Sequence, residues 1–414
     1  MTIVNMLRII GVNLPDGKLL SIQQIVVTAI QIIALGFHVY GLIDLWPKPA
    51  EICKSIIIYL LGTQSIIRGV SRFTRNDEKA MREMHEIIDN FYIKNERNEK
   101  FREKLSSNVK LFRRIIILYI AICSISYNLP VISGLTLSIM TREFVLPVPM
   151  KLPYIDSTTI YGFLLCQTVI AMVSNILFLI MVAGDTVILY FTLQTITRVE
   201  LLNLKFQLLG EDLIKVQNMR KIIAKSNRNF NSSISIRTKQ VCKYISTSTN
   251  DIDFIVLKAM QNYVDEQFIN LIIEYTVYND YVSRILSFRE MITFTTLYLN
   301  YVGIGLSLVT IRVSTISFGV AACIIFTLQV FMHCFECTLV TIQNEKLLTN
   351  VQEFPWYKLS HPQKKIFLQF LCICQNTNSF SLPIFGDVNM ELFTDIMQAA
   401  YSFLMYVIQF VNIK

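Results

Sequence analysis

Charge is scarce in this 414-residue chain. Asp, Glu, Lys and Arg make up 16% of it and hydrophobic residues 53%, against roughly 25% charged in ordinary soluble domains. Windows such as 22–45 and 291–311 hold one acid or no charge at all. That distribution excludes the two or three soluble domains the length would otherwise suggest. Histidine is scarcer still. Its four copies, at 38, 85, 333 and 361, are scattered without metal-ligand spacing. The chain has neither a Walker loop nor a Gly-x-Ser-x-Gly turn. These gaps argue against an enzyme, and no cofactor is expected. No internal repeat with paired helix breaks points to a transporter, which stays a distant alternative. Cys334-x-x-Cys337 has no second pair to complete a zinc site, so it reads as two reduced thiols within a span. Residues 1–20 lack the features of a cleaved signal peptide.

What the chain does have is long apolar runs, each close to the roughly 20 residues that cross a bilayer core. They predict spans at about 22–45, 52–70, 112–140, 159–193, 290–312 and 315–343. A last helical region, 363–411, is split by Pro383 and Gly386 into 363–381 and 388–411. The first piece carries Lys364, Lys365, Gln369 and Gln375 and is a poor lipid helix; the second is the seventh span. The net charge of +8 therefore bears on orientation and does not indicate a nucleic-acid partner. With the N-terminus in the cytoplasm, segments 1–20, 68–114, 194–284 and 346–365 hold 31 of the 38 basic residues. The outer segments hold six, and Arg289 sits at the foot of the fifth span. This bias predicts a cytoplasmic N-terminus and an outer C-terminus, opposite to G-protein-coupled receptors.

The expected fold class is an all-α membrane protein of seven transmembrane helices. Residues 72–110 and 196–223 continue as amphipathic helices past the bilayer, with Met84, Ile88 and Phe91 on one face of the first, and Leu202, Leu209 and Val216 in the second. The Ser/Asn/Thr-rich stretch 225–250 reads as a flexible loop. The chain then divides into spans 1–4 with extensions (1–193), a cytoplasmic extension (194–289), spans 5–6 (290–343), a cytoplasmic loop and helix (344–387) and the last span (388–414).

Residues 335–413 carry a recognisable set. Cys337 is followed by Asn344-Glu345-Lys346, then Pro355-Trp356-Tyr357 and Pro362-Gln363-Lys364-Lys365. Leu392-Phe393-Thr394 and Ala400-Tyr401-Ser402-Phe403 complete it. As a set it resembles the C-terminal signature of insect odorant receptors, and length and inverted topology are similar along the chain. Pro383 is displaced from the family's usual place after Gln375-Asn376-Thr377-Asn378. Ser402–Phe410 is also close to the signature of the related gustatory receptors, which remain an alternative. The resemblance implies a ligand-gated, non-selective channel for monovalent and divalent cations in the plasma membrane of a sensory dendrite. Four subunits would surround the pore, a common co-receptor among them, with the cytoplasmic helices forming an anchor.

Ser402, Tyr406, Gln409 and Phe410 fall on one stripe of the last helix. Polar groups at membrane depth are costly against lipid, so the stripe faces protein or water. It either hydrogen-bonds between helices or, as the resemblance implies, lines a pore with Tyr406 and Phe410 at the gate and Gln409 beside them. The resemblance also places a pocket for a small apolar volatile in the outer halves of spans 2, 3, 4 and 6. The matching stretches offer Ile56 and Tyr59, then Ser126, Tyr127 and Gly134, then Tyr161, Gln167 and Met172, then Phe318 and Phe326. Pro147, Pro149 and Pro153 stiffen 146–154, read either as a lid over that region or as an ordinary structured loop. Asp185 and Glu336 lie in spans, and a cytoplasmic-end position with water or a positive partner is expected for them.

Overall fold

In the computed structural model the described residues are 29–30, 32–33, 35–36, 49–70, 75–95, 99–144, 146, 155, 158–233, 239–313, 316–375 and 380–412. They are almost entirely helical. The helices are α1 (Pro49–Val70), α2 (Arg75–Asn95), α3 (Glu99–Thr141), α4 (Ile160–Ser233), α5 (Lys239–Val313), α6 (Ile316–Glu353), α7 (His361–Gln375) and α8 (Met390–Asn412). A 3-10 turn, Trp356–Lys358, precedes α7. Most of the first expected span and most of the proline loop lie outside the described residues.

Local chemistry sets the helix ends. Thr159 Oγ1 accepts the Gly162 amide at 3.1 Å and caps α4. Ser360 and Gln363 form half of a capping box at α7, where the Gln363 side chain accepts the Ser360 amide at 3.3 Å. Asn389 Oδ1 accepts the Leu392 amide at 2.9 Å and starts α8, with Glu391 in its first turn. The expected break at Pro383 and Gly386 is a small hairpin. Strands β1 (Ser381–Leu382) and β2 (Gly386–Asp387) pair antiparallel, with Ser381 opposite Asp387 and Leu382 opposite Gly386. The hairpin turn holds Ile384 at φ 76° and Gly386 at φ 71°. Glycine adopts that region freely; a β-branched residue is strained there.

Four helical segments among the described residues are long and apolar enough to cross a membrane: Glu99–Thr141, Ile160–Ile222, Arg289–Arg312 and Ile316–Glu353. They coincide with expected spans 3 to 6. The second and seventh expected spans, α1 and α8, are shorter helices of 22 and 23 residues. Glu51 and Lys54 in α1, and Asp395, Gln398, Ser402 and Gln409 in α8, dilute their apolar character.

The chain divides into two compact units. The first comprises Met1–Gln194, Arg284–Leu339 and Ser379–Lys414, and the second Thr195–Ser283 and Val340–Asn378. The first is centred on apolar side chains from α1, α3, α4, α5, α6, the hairpin and α8, including Ile57, Met181, Leu297, Phe326 and Ile396. The second has an aromatic centre. Phe206 stacks on Phe370 at 5.5 Å, Phe268 on Phe354 at 6.0 Å and Trp356 on Phe367 at 6.2 Å. Each such pair adds about 0.5–1.5 kcal/mol beyond the area it buries. In the same unit, Lys205 Nζ and Glu274 Oε2 pair at 2.6 Å, and Arg198 lies 4.3 Å above the Tyr281 ring.

Candidate functional site

The first unit holds a partly open cavity of about 60 Å³ between four helices, several times the roughly 10–15 Å³ that one water needs. Its walls come from Ile58 and Leu61 of α1, from Ser126, Tyr127, Pro130 and Val131 of α3, from Ile170, Val173, Ser174 and Leu177 of α4, and from Phe318, Ala321, Ala322 and Ile325 of α6. The last two sets are i, i+3, i+4, i+7 quartets, one face of each helix. None of the lining residues is charged.

Three of the ten expected pocket residues line this cavity: Ser126, Tyr127 and Phe318. Gln167 stands behind the wall, donating from Nε2 to the Val131 carbonyl at 2.9 Å. Gly134 is buried on α3 outside the lining. Tyr59 donates to the Leu35 carbonyl at 3.2 Å. Ile56, Tyr161 and Met172 are exposed, Tyr161 to 84%. Phe326 is fully buried, but against α5: a Cβ on Gly303 would sit 2.6 Å from its ring. The aliphatic and small residues that make most of the wall were not singled out from sequence. The i+3/i+4 repeat of Ile170, Val173, Ser174 and Leu177, shared with Phe318, Ala321, Ala322 and Ile325, is the signal that marks them.

On α8, Leu392, Ile396 and Ala400 are buried, whereas Ser402, Tyr406 and Gln409 are exposed along with Tyr401, Phe403 and Met405. Ser402 Oγ donates back to the Gln398 carbonyl at 2.9 Å. The Phe410 side chain lies outside the described residues. One edge of the ring of Phe403 meets α5, where a Cβ on Gly305 would come within 2.9 Å of it.

A second polar constellation sequence reading found only in part. Asp185 accepts from Tyr119 and, at 3.5 Å, from Gln329, and lies 3.8 Å from His333 Nε2. Glu336 does find a positive partner: Arg289 Nη1 is 3.4 Å away and also donates to Thr192 Oγ1 at 2.8 Å. The Arg289 guanidinium lies 4.8 Å from the ring centre of Phe380, at the base of the hairpin that leads into α8. All of these polar side chains except the Tyr119 ring are carried by α4, α5 and α6. Among the described residues no group of His, Cys, Asp and Glu is arranged to hold a metal.

The family model described as "7tm Odorant receptor" matches residues 48–401. This chain belongs to the odorant receptor family. Its fold is that of an insect olfactory receptor, OR5 of Machilis hrabei. One structure of OR5 superposes with a TM-score of 0.68 at 12% identity, over 94% of this chain and 89% of the other. The structure of OR5 in complex with eugenol gives 0.69 at 12% identity, over 99% of this chain and 98% of the other. A comparison with curated protein sequences yields no match. This odorant receptor is thus a helical membrane protein with a largely apolar cavity between four of its helices.

Proposed function

We infer that this odorant receptor is one subunit of a ligand-gated, non-selective cation channel in the plasma membrane, opened when a small apolar volatile occupies the cavity. The observation that carries this reading is the uncharged, largely apolar cavity between α1, α3, α4 and α6. Small-molecule sites are concave, mostly apolar and supplied with a few polar groups that fix orientation. OR5, which shares the fold, has been captured with eugenol, a compound of that class. A carboxylate or phosphate ligand would find no cation on these walls.

In this reading the N-terminus is cytoplasmic, the exposed face of α8 lines the conduit, and Ser402 and Gln409 offer oxygens to a hydrated cation. Tyr406 and Phe410 form the constriction, which closes by excluding water. A stripe that is accessible in a single chain is suited to a shared central pore. Partner subunits, the common co-receptor among them, complete a heterotetramer.

Co-expression with the co-receptor under voltage clamp, against a panel of volatiles, tests this. The chain alone is expected to give little current and the pair a cation current on exposure to the right volatile. Ala at Tyr406 or Gln409 is expected to change leak or ion selectivity. Odour-evoked second messengers without any current would refute the channel reading.

A further inference from the structure

The cavity wall contains a proline inside a helix. Pro130 lies in the interior of α3, and both Pro130 and Ser126 line the cavity. In an α-helix the carbonyl of residue i is bonded by the amide of residue i+4. Pro130 has no amide hydrogen, and its ring crowds the carbonyl four residues back, which is that of Ser126. Ser126 is only 3% exposed. Its hydroxyl hydrogen is already committed, donating to the Ile122 carbonyl at 2.9 Å. The i+4 amide that would pair with the Ser126 carbonyl is therefore missing, in a residue that lines the cavity. A buried carbonyl in that state costs stability until something pairs with it.

We propose that the cavity selects volatile alcohols and phenols, whose hydroxyl donates to the carbonyl of Ser126. This rests on the reading of the chain as an odour-gated channel and narrows the ligand that opens it. A hydroxyl is the only neutral group common in small volatiles that donates strongly. Ethers, ketones, aldehydes and esters of the same shape can only accept, and so leave the Ser126 carbonyl unpaired. An amine would enter as an ammonium, and no carboxylate lines the walls to receive it. Ser174, across the cavity on α4, supplies a hydroxyl that can donate to the ligand oxygen. That contact is open to alcohols and to acceptor-only ligands alike, so it sets affinity without sorting them. The sorting lies in Pro130.

The test compares matched pairs, each an alcohol or phenol and its methyl ether, on the receptor co-expressed with its co-receptor, with surface expression measured for every variant. In the unmodified chain the hydroxyl compound is expected to activate at about tenfold lower concentration than its ether, the loss that one unmade hydrogen bond produces. Pro130→Ala restores an amide to the Ser126 carbonyl, and the two ligands are expected to fall within about twofold of each other. Ser126→Ala keeps the backbone carbonyl and is expected to keep the preference, and Ser174→Ala is expected to weaken both ligands in parallel. Equal potency of alcohol and ether in the unmodified chain overturns the proposal, and so does a preference that survives Pro130→Ala at normal surface expression. If Pro130→Ala does not reach the surface, the matched pairs on the unmodified and Ser126→Ala chains still decide. Absence of current with every ligand refutes the channel reading instead, so the two failures are distinguishable.

Discussion

Replacing Arg289 by Met should destabilise the chain far more than replacing Arg289 and Glu336 together. Arg289 and Glu336 are both 2% exposed, and their closest charged atoms are 3.4 Å apart. The single change removes the donor to Thr192 Oγ1, worth about 1 kcal/mol, and the cation over Phe380, worth up to about 2 kcal/mol where water is excluded. Its larger effect is on Glu336, which keeps its burial and loses its cation. Breaking one side of a buried pair in this way costs about 3–5 kcal/mol. Thr192 itself is not stranded, because its hydroxyl also donates to the Ile188 carbonyl at 3.0 Å. In the double variant Arg289→Met/Glu336→Met no buried charge is left unmatched at this pair, and most of the loss is recovered. Unfolding of the purified receptor in detergent, monitored by denaturant titration, measures both. Equal destabilisation in the single and double variants would refute the claim that the penalty is an uncompensated carboxylate. It would place the cost in packing or in the Phe380 contact.

Other outcomes follow from the same packing. Gly303→Ala pushes a methyl to within 2.6 Å of the buried Phe326 ring; overpacking of about 1–3 kcal/mol outweighs the roughly 1 kcal/mol that alanine gains in helix propensity, and detergent unfolding reads the sign. Phe326→Leu in the same chain should relieve it. Burial pushes the Cys374 thiol up to about 12, only partly offset by its hydrogen bond with Tyr275. At pH 8 its thiolate fraction is therefore on the order of one in ten thousand, so maleimide should label exposed Cys372 in the folded chain and reach Cys374 only after denaturation. An acid whose pKa is raised by folding stabilises the fold at low pH, and that contribution fades as pH rises from about 8.5 towards 12. Alkaline pH should accordingly accelerate Cys374 labelling through unfolding. Labelling of both thiols at equal rates at pH 8 would contradict the burial.

Helix order was legible because it depends on local signals. Pro383 and Gly386 break the final helical region, and the structure puts a hairpin there between α7 and α8. The apolar runs at 112–140, 159–193, 290–312 and 315–343 overlap α3 to α6 in turn. The cavity was harder to read, because in a membrane chain both the lipid-facing and the inward side of a helix are apolar. Hydropathy then loses the rotational phase that it supplies in a soluble amphipathic helix. Tyr161 and Met172 were chosen for their side-chain types and proved to face outward. Ala321, Ala322 and Ser174 make room for a ligand by being small, which a search for large contact residues passes over. Pairing across helices is equally hidden. Asp185 and Glu336 stood out as costly in a span, but only the fold brings Arg289 and His333 to them.

The aromatic centre of the second unit bears on how a ribosome delivers this molecule. Phe206 and Phe268 belong to Thr195–Ser283, whereas Phe354, Phe367 and Phe370 belong to Val340–Asn378. All of Arg284–Leu339 must be translated between the two stretches. A nascent chain therefore carries half of an aromatic nucleus with nothing to close on, the state in which unfinished polypeptides stick to one another. Chaperones would meet that sticky surface before the last two helices emerge.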